Sequence, residues 1–218
     1  MFTFSLCLYI EINIIHSFLG YDSHLFIQEL VTSKELPGEV SIIPLNKEKY
    51  ISFTKHVPTT ARAPGKKPNN KDHISFRFLD SFRFMACSLD KLASFLTEMP
   101  IIDKELKKRN YSSDQIDLLK RKGVFPYDHI KSFQSLEERQ LPSKEDFYSS
   151  LNDSNISSAD YDHAKNVWSS FSCQSLGDYS DIYLQTDCFL LATIFDAYRA
   201  AVMLHYGLEV LHYITSPG

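Results

Sequence analysis

With 218 residues, 44% hydrophobic side chains, sixteen Phe and twelve Tyr, the chain is long enough to bury a core and too aromatic for disorder throughout. A formal net charge of −4 excludes the overall basic footprint of a nucleic-acid binder but leaves room for local basic patches. The cysteines Cys7, Cys87, Cys173 and Cys188 stand far apart, without a C-x-x-C pair or zinc spacing, which argues for reduced thiols and an intracellular compartment.

Residues 1–19 are apolar, but they lack a basic leading segment and a small-residue cleavage site, and Glu11 interrupts them, so they do not read as a signal peptide. Because no uncharged run is long enough to span a bilayer, no membrane association is expected. Residues 4–15 (FSLCLYIEINII) are short, apolar and rich in β-branched side chains, which suits one central, buried strand. A helix is expected from about Asp22 to Leu30, then a turn at Pro37-Gly38. Val40–Leu45 and Tyr50–Thr54 read as a β-hairpin, and residues 55–72 as a basic loop rich in Pro and Asn, its mobile part 57–72. In His73–Leu79, Ile74, Phe76 and Phe78 alternate with Ser75 and Arg77, the pattern of a strand ending at Asp80-Ser81.

The remainder reads as helical, with segments near 86–98, 112–121, 143–150 and 157–170 and N-cap signals at Ser112-Ser113 and Ser157-Ser158. The clearest helix covers about 176–205, where Tyr179, Ile182, Tyr183, Thr186, Leu190, Ile194 and Tyr198 recur at three- and four-residue steps. Strands followed by helices give an α/β domain with a mixed sheet, flanked by helices, and a helix-rich C-terminal half.

Asp187 shares the apolar stripe of that last helix with Tyr183 one turn earlier. A carboxylate there needs a cation, a metal or solvent. Asp22 and Asp80 each follow a strand, where an N-cap role is the common one and metal ligation the alternative. Several carboxylates around paired divalent ions are what phosphodiester hydrolysis requires, so spacing alone admits a metal nuclease and goes no further.

The residues also spell longer strings. His16-Ser17-Phe18-Leu19-Gly20-Tyr21-Asp22 resembles the second exonuclease motif of family B DNA polymerases, and Tyr183-Leu184-Gln185-Thr186-Asp187 resembles the third, Tyr-x-x-x-Asp. Lys122-Gly123-Val124-Phe125 resembles the Lys-x-x-hydrophobic motif of the protein-primed branch. The strings FRFLDSFRFMACSLDKL, RKGVFPYDHI and LGDYSDIYLQTD are similar to polymerases of Maverick/Polinton elements, linear plasmids and related viruses.

This resemblance implies a ribonuclease-H-like exonuclease fold, with residues 100–172 a helical insertion between the second and third motifs. It further implies Mg²⁺ or Mn²⁺ on carboxylates that include Asp22 and Asp187. Tyr183 would be the water-orienting phenol and Lys122 a catalytic lysine beside the scissile phosphate. His16, Ser17, Tyr21, Ser81 and Phe82 fall where the family contacts a single-stranded DNA 3′ end. For the full-length parent the implied partners are primer-template DNA and a terminal protein.

Departures shape the expectation as much as matches do. Residues 1–15 hold Glu11 but no Asp-x-Glu pair, Ser17 stands where the family has Asn, and no palm motif with paired aspartates follows. The expectation is an N-terminally truncated exonuclease region of a DNA-directed DNA polymerase, without palm, fingers or thumb and with little activity alone. The missing strand is expected to leave residues 4–15 as an unpaired edge. The alternatives are a non-enzymatic single-strand-binding or interaction module derived from such a polymerase, and an unrelated α/β protein.

Overall fold

The computed structural model describes residues 2–7, 10–15, 23–46, 49–58 and 73–216. His16, Ser17, Tyr21 and Asp22 lie outside the described residues, as does 59–72, most of the expected basic loop. The fold is mixed α/β and divides into two compact units, Met1–Cys87 with Phe195–Gly218, and Ser88–Ile194.

The first unit holds a five-stranded sheet in the order β1-β2-β5-β4-β3, built from β1 (Phe2–Cys7), β2 (Ile10–Ile15), β3 (Glu39–Pro44), β4 (Tyr50–Pro58) and β5 (His73–Asp80). Strands β3, β4 and β5 form an antiparallel meander, and β2 runs parallel to β5. The single strand expected over residues 4–15 is two antiparallel strands, with Phe2 opposite Ile14 and Phe4 opposite Ile12. Residues 4–12 hold no Gly, Pro or Asn to divide the apolar run, so it reads as one strand. Strand β2 is therefore paired on both sides, not an open edge, and β1 and β3 are the edges.

Alternation in β5 dictates how this sheet is covered. Phe78 packs with Phe53 and Ile27 on one face, its ring stacked 4.5 Å from that of Phe53, where helix α1 (Ser23–Thr32) lies. Leu79, the next residue, points to the other face and packs with Phe84, Phe195, Val210 and Leu211. The strand is thus buried on both sides, and Leu79 is 0% exposed.

Lys55 departs from the expected loop. It belongs to β4, is buried, and donates to the carbonyls of Leu30 at 2.7 Å and Gly38 at 2.9 Å. This ammonium supplies partners for a helix-end carbonyl and a turn carbonyl that would otherwise be orphaned.

The second unit is helical. It contains α2 (Leu89–Ser94), α3 (Pro100–Lys108), α4 (Ser113–Leu118), α5 (Ser158–Ser170) and the first turns of α6 (Leu176–Tyr206). Ser112 caps α4 through a reciprocal box with Gln115, and Ser157 caps α5 by accepting from Asp160 N at 3.0 Å, as their sequence signals indicate. The helix expected near 143–150 is instead a 3₁₀ turn, Lys144–Phe147, followed by a short bridge between Ser149 and Ser154. Ser, Asn and Asp after Phe147 favour turns and stop the helix.

Phe147, Ala164, Val167, Cys173, Leu176 and Tyr179 form this unit's core. Helix α6 is long and apolar enough to cross a membrane by length and composition. It nevertheless carries Asp181, Asp187, Asp196 and Arg199, and it supplies Leu176, Tyr179 and Phe195 to the cores just described.

Candidate active site

The helical period of α6 places Tyr183 and Asp187 one turn apart on one side. The chain leaving α4 crosses that side. The backbone at Gly123 runs beside the Tyr183 ring: a Cβ there would lie 3.5 Å from Tyr183 Cδ2, an ordinary contact. Phe125 sits between the rings of Tyr179 and Tyr183, with centroids 6.2 and 5.2 Å away. Tyr179 Oη donates to the Val124 carbonyl at 2.7 Å and fastens the crossing.

This crossing delivers Lys122. Its ammonium donates to Asp187 Oδ2 at 2.6 Å and to Tyr183 Oη at 3.1 Å. It also lies 5.2 Å from the centre of the Tyr183 ring. An ammonium has three donors, so one remains for another acceptor after these two bonds. The side chains of Lys122 and Asp187 are 30% and 24% exposed, a partly dry setting in which such a pair is stronger than on an open surface. Asp187 Oδ1 is buried and has no hydrogen-bond partner. A buried carboxylate oxygen left in that state is costly and suits an incoming donor or cation.

Tyr127 completes the group. Its phenol donates to Tyr183 Oη at 3.0 Å, and its ring packs edge-on to Tyr183, 6.2 Å between centroids. Tyr183 Oη therefore accepts from both Lys122 and Tyr127, and its own proton is left to face Asp187. Burial pushes the Tyr183 phenol up to about 12. The bond from Tyr127 opposes this rise and the Asp187 charge adds to it. Burial also raises the Tyr127 phenol, with its bond to Tyr183 contributing. At neutral pH both are hydrogen-bonding phenols, not bases.

No family model matches the chain, and no curated protein or solved structure matches it. The functional reading rests on the residues themselves.

Of the residues singled out in the sequence, Lys122, Tyr183 and Asp187 are brought together in the second unit. Ser81 and Phe82 belong to the first unit, in a 3₁₀ turn that Asp80 caps by accepting from Phe82 N at 2.9 Å. Asp80 thus performs the N-cap role. Ser81 is 0% exposed and Phe82 42%, so of the two it is Phe82 that presents its side chain to solvent.

Among the described residues, no three of His, Cys, Asp and Glu stand together as a metal centre. Asp187 alone does not make a cage for two divalent ions, each of which takes several oxygen ligands. Tyr127 is the functional candidate that sequence reasoning missed. Its signal is the Phe125-Pro126-Tyr127 run, in which two aromatics flank a proline four residues beyond Lys122.

Proposed function

We propose that this chain is the 3′–5′ exonuclease region of a protein-primed family B DNA polymerase, with a ribonuclease-H-like fold and a site for the single-stranded 3′ end of DNA. The observation that carries the reading is the convergence of Lys122, Tyr183 and Asp187. Lys122 lies 61 and 65 residues before the other two in sequence and bonds to both. The mixed sheet, an antiparallel meander extended by parallel β2, supports the fold assignment.

In this reading the remaining Lys122 donor steadies a phosphate oxygen, and the Tyr183 phenol, turning from Asp187, orients the attacking water or a phosphate oxygen. The exposed Tyr127 ring lies beside them, where a terminal base would stack. Mg²⁺ or Mn²⁺ would supply the charge stabilisation of phosphodiester hydrolysis, with Asp22 and Asp187 as ligands. Primer-template DNA and a terminal protein are the partners proposed for the full polymerase.

These 218 residues carry no Asp-x-Glu pair before Ser17, so the purified chain is expected to bind single strands and to cleave them slowly or not at all. A second reading, a polymerase-derived module that binds without cleaving, is favoured by the lack of a three-acid cluster among the described residues. The test is a 5′-labelled single-stranded oligonucleotide with Mg²⁺ or Mn²⁺, with Asp187→Ala as control. A ladder shortened from the 3′ end, absent in the variant, establishes the exonuclease. Binding without a ladder, from folded protein, selects the second reading. No binding of DNA at all refutes both.

A further inference from the structure

Tyr127 is carried on a 3₁₀ turn of three residues, Tyr127–His129. A turn that short is set by what its side chains bond to, and all three bond outward. Tyr127 Oη donates to Tyr183 Oη at 3.0 Å, and Asp128 Oδ2 accepts from Ser150 N at 2.7 Å. His129 faces two carboxylates. Its Nε2 lies 2.9 Å from Glu138 Oε2 and 3.1 Å from Oε1, and its Nδ1 lies 3.5 Å from Asp146 Oδ1. An ionised carboxylate only accepts, so the bond to Glu138 fixes a proton on Nε2.

Glu138 is fastened in turn to the helix that bears the site. Its backbone carbonyl accepts from Leu176 N at 2.8 Å, one of the amides at the start of α6 that have no partner within the helix. Asp146 is held by Ser143, whose N and Oγ donate to its Oδ2 at 2.9 and 2.7 Å. The turn is therefore tied to α6 twice, at Leu176 through His129 and Glu138, and at Tyr183 through Tyr127.

We propose that His129 is a positioning residue, which through Glu138 seats the turn against the start of α6 so that Tyr127 keeps its bond to Tyr183 and its ring at the site. This rests on the reading of that site as one that takes a single-stranded 3′ end. In this role His129 meets neither base nor phosphate and acts only through Tyr127, whose ring offers a base a face to stack on.

The test uses the whole 218-residue chain. In the parent, the Tyr127 phenol titrates above its ordinary 10.0, through burial first and its bond to Tyr183 second. His129→Ala and Glu138→Ala are expected to return it toward 10.0, read by tyrosinate absorbance with Tyr127→Ala as the assignment. The Tyr179 phenol, which burial holds high on α6 itself, is expected to stay late, and that contrast separates positioning from general loosening. Binding of a fluorescently labelled single-stranded oligonucleotide is expected to weaken about threefold in either variant. Glu138→Gln, whose amide oxygen still accepts from Nε2, is expected to recover it, and adding His129→Ala to Tyr127→Ala to weaken it no further. The His129 and Glu138 side chains are 24% and 41% exposed, so should His129→Ala not fold, Glu138→Ala carries the same test. An unmoved Tyr127 phenol with parental binding, or losses that add in the double variant, overturns the positioning role and leaves the site reading standing. Failure of the parent chain to bind any single strand overturns the site reading, and the positioning role with it.

Discussion

Replacing Lys122 by Met removes the ammonium but keeps most of the chain's bulk, so the change isolates what the charge does. Two hydrogen bonds are lost, the charge-assisted one to Asp187 at 2.6 Å and the one to Tyr183 at 3.1 Å. A hydrogen bond to a charged group contributes about 1.5–3 kcal/mol, and the partial exposure of both side chains discounts this to about 1–2 kcal/mol. Asp187 then loses its cation while Oδ1 is already without a partner. For a chain of this length that corresponds to a fall in Tm of about 3–6 °C. Asp187→Asn removes the charge that needs a partner, so the double variant Lys122→Met/Asp187→Asn is expected to be more stable than Lys122→Met alone. Thermal and urea unfolding of the four proteins form a double-mutant cycle, with an expected coupling of about 1–2 kcal/mol. A Lys122→Met protein as stable as the parent, or two changes that simply add, refutes the partly buried pairing on which the site is built.

Tyr183 is expected to titrate late. Its folded value, raised by burial to about 12, lies above the ordinary 10.0, so the folded state holds this proton more tightly than the unfolded chain does. The stability from that difference is complete below about pH 10 and is lost as pH rises toward 12; tyrosinate absorbance should show one fewer late-titrating phenol in Tyr183→Phe. Gly38→Ala is expected to cost about 2–4 kcal/mol, because an added Cβ would sit 1.9 Å from the His56 carbonyl oxygen at a φ of +130°. Chemical denaturation measures it, and a loss below about 1 kcal/mol would show that the turn relaxes freely.

Much of this fold was legible because periodicity reports burial. The period-2 pattern of β5 and the three- and four-residue steps of α6 both mark elements packed against a core, and both lie where the sequence puts them. Ser112 and Ser157 were legible for a local reason, since a hydroxyl before a helix satisfies an orphan N–H whatever surrounds it. What stayed hidden depends on tertiary partners. Lys55 sits at the start of a basic stretch, and only the carbonyls of Leu30 and Gly38 reveal why it is buried. Helix α3 opens on Pro100 and runs into a string of charges, so its buried Ile102 and Leu106 pass unnoticed in a connecting segment. In the site, Tyr183 and Asp187 were legible as a helical pair. The contribution of Tyr127 depends on how the chain folds back over the Tyr183 ring, which no spacing encodes.

The orphaned oxygen of Asp187 yields a last prediction, and its sign separates two ideas of Lys122. If Lys122 only neutralises Asp187, a divalent cation and the ammonium compete for the same carboxylate, because Nζ stands 2.6 Å from Oδ2. Lys122→Met then lowers stability without metal and strengthens the response to Mn²⁺. Removing a like charge within a few ångströms, in a partly dry site, is expected to tighten Mn²⁺ binding about tenfold, or about 1.4 kcal/mol. Asp187→Asn should abolish the response in both backgrounds. The measurement is the rise in Tm with added Mn²⁺ for the parent, both single variants and the double variant, since a ligand that binds only the folded state raises stability with its concentration. An undiminished response in Asp187→Asn would place the cation elsewhere. A weaker response in Lys122→Met would mean that the lysine holds Asp187 in a shape the cation needs, making it a positioning residue and not a competitor.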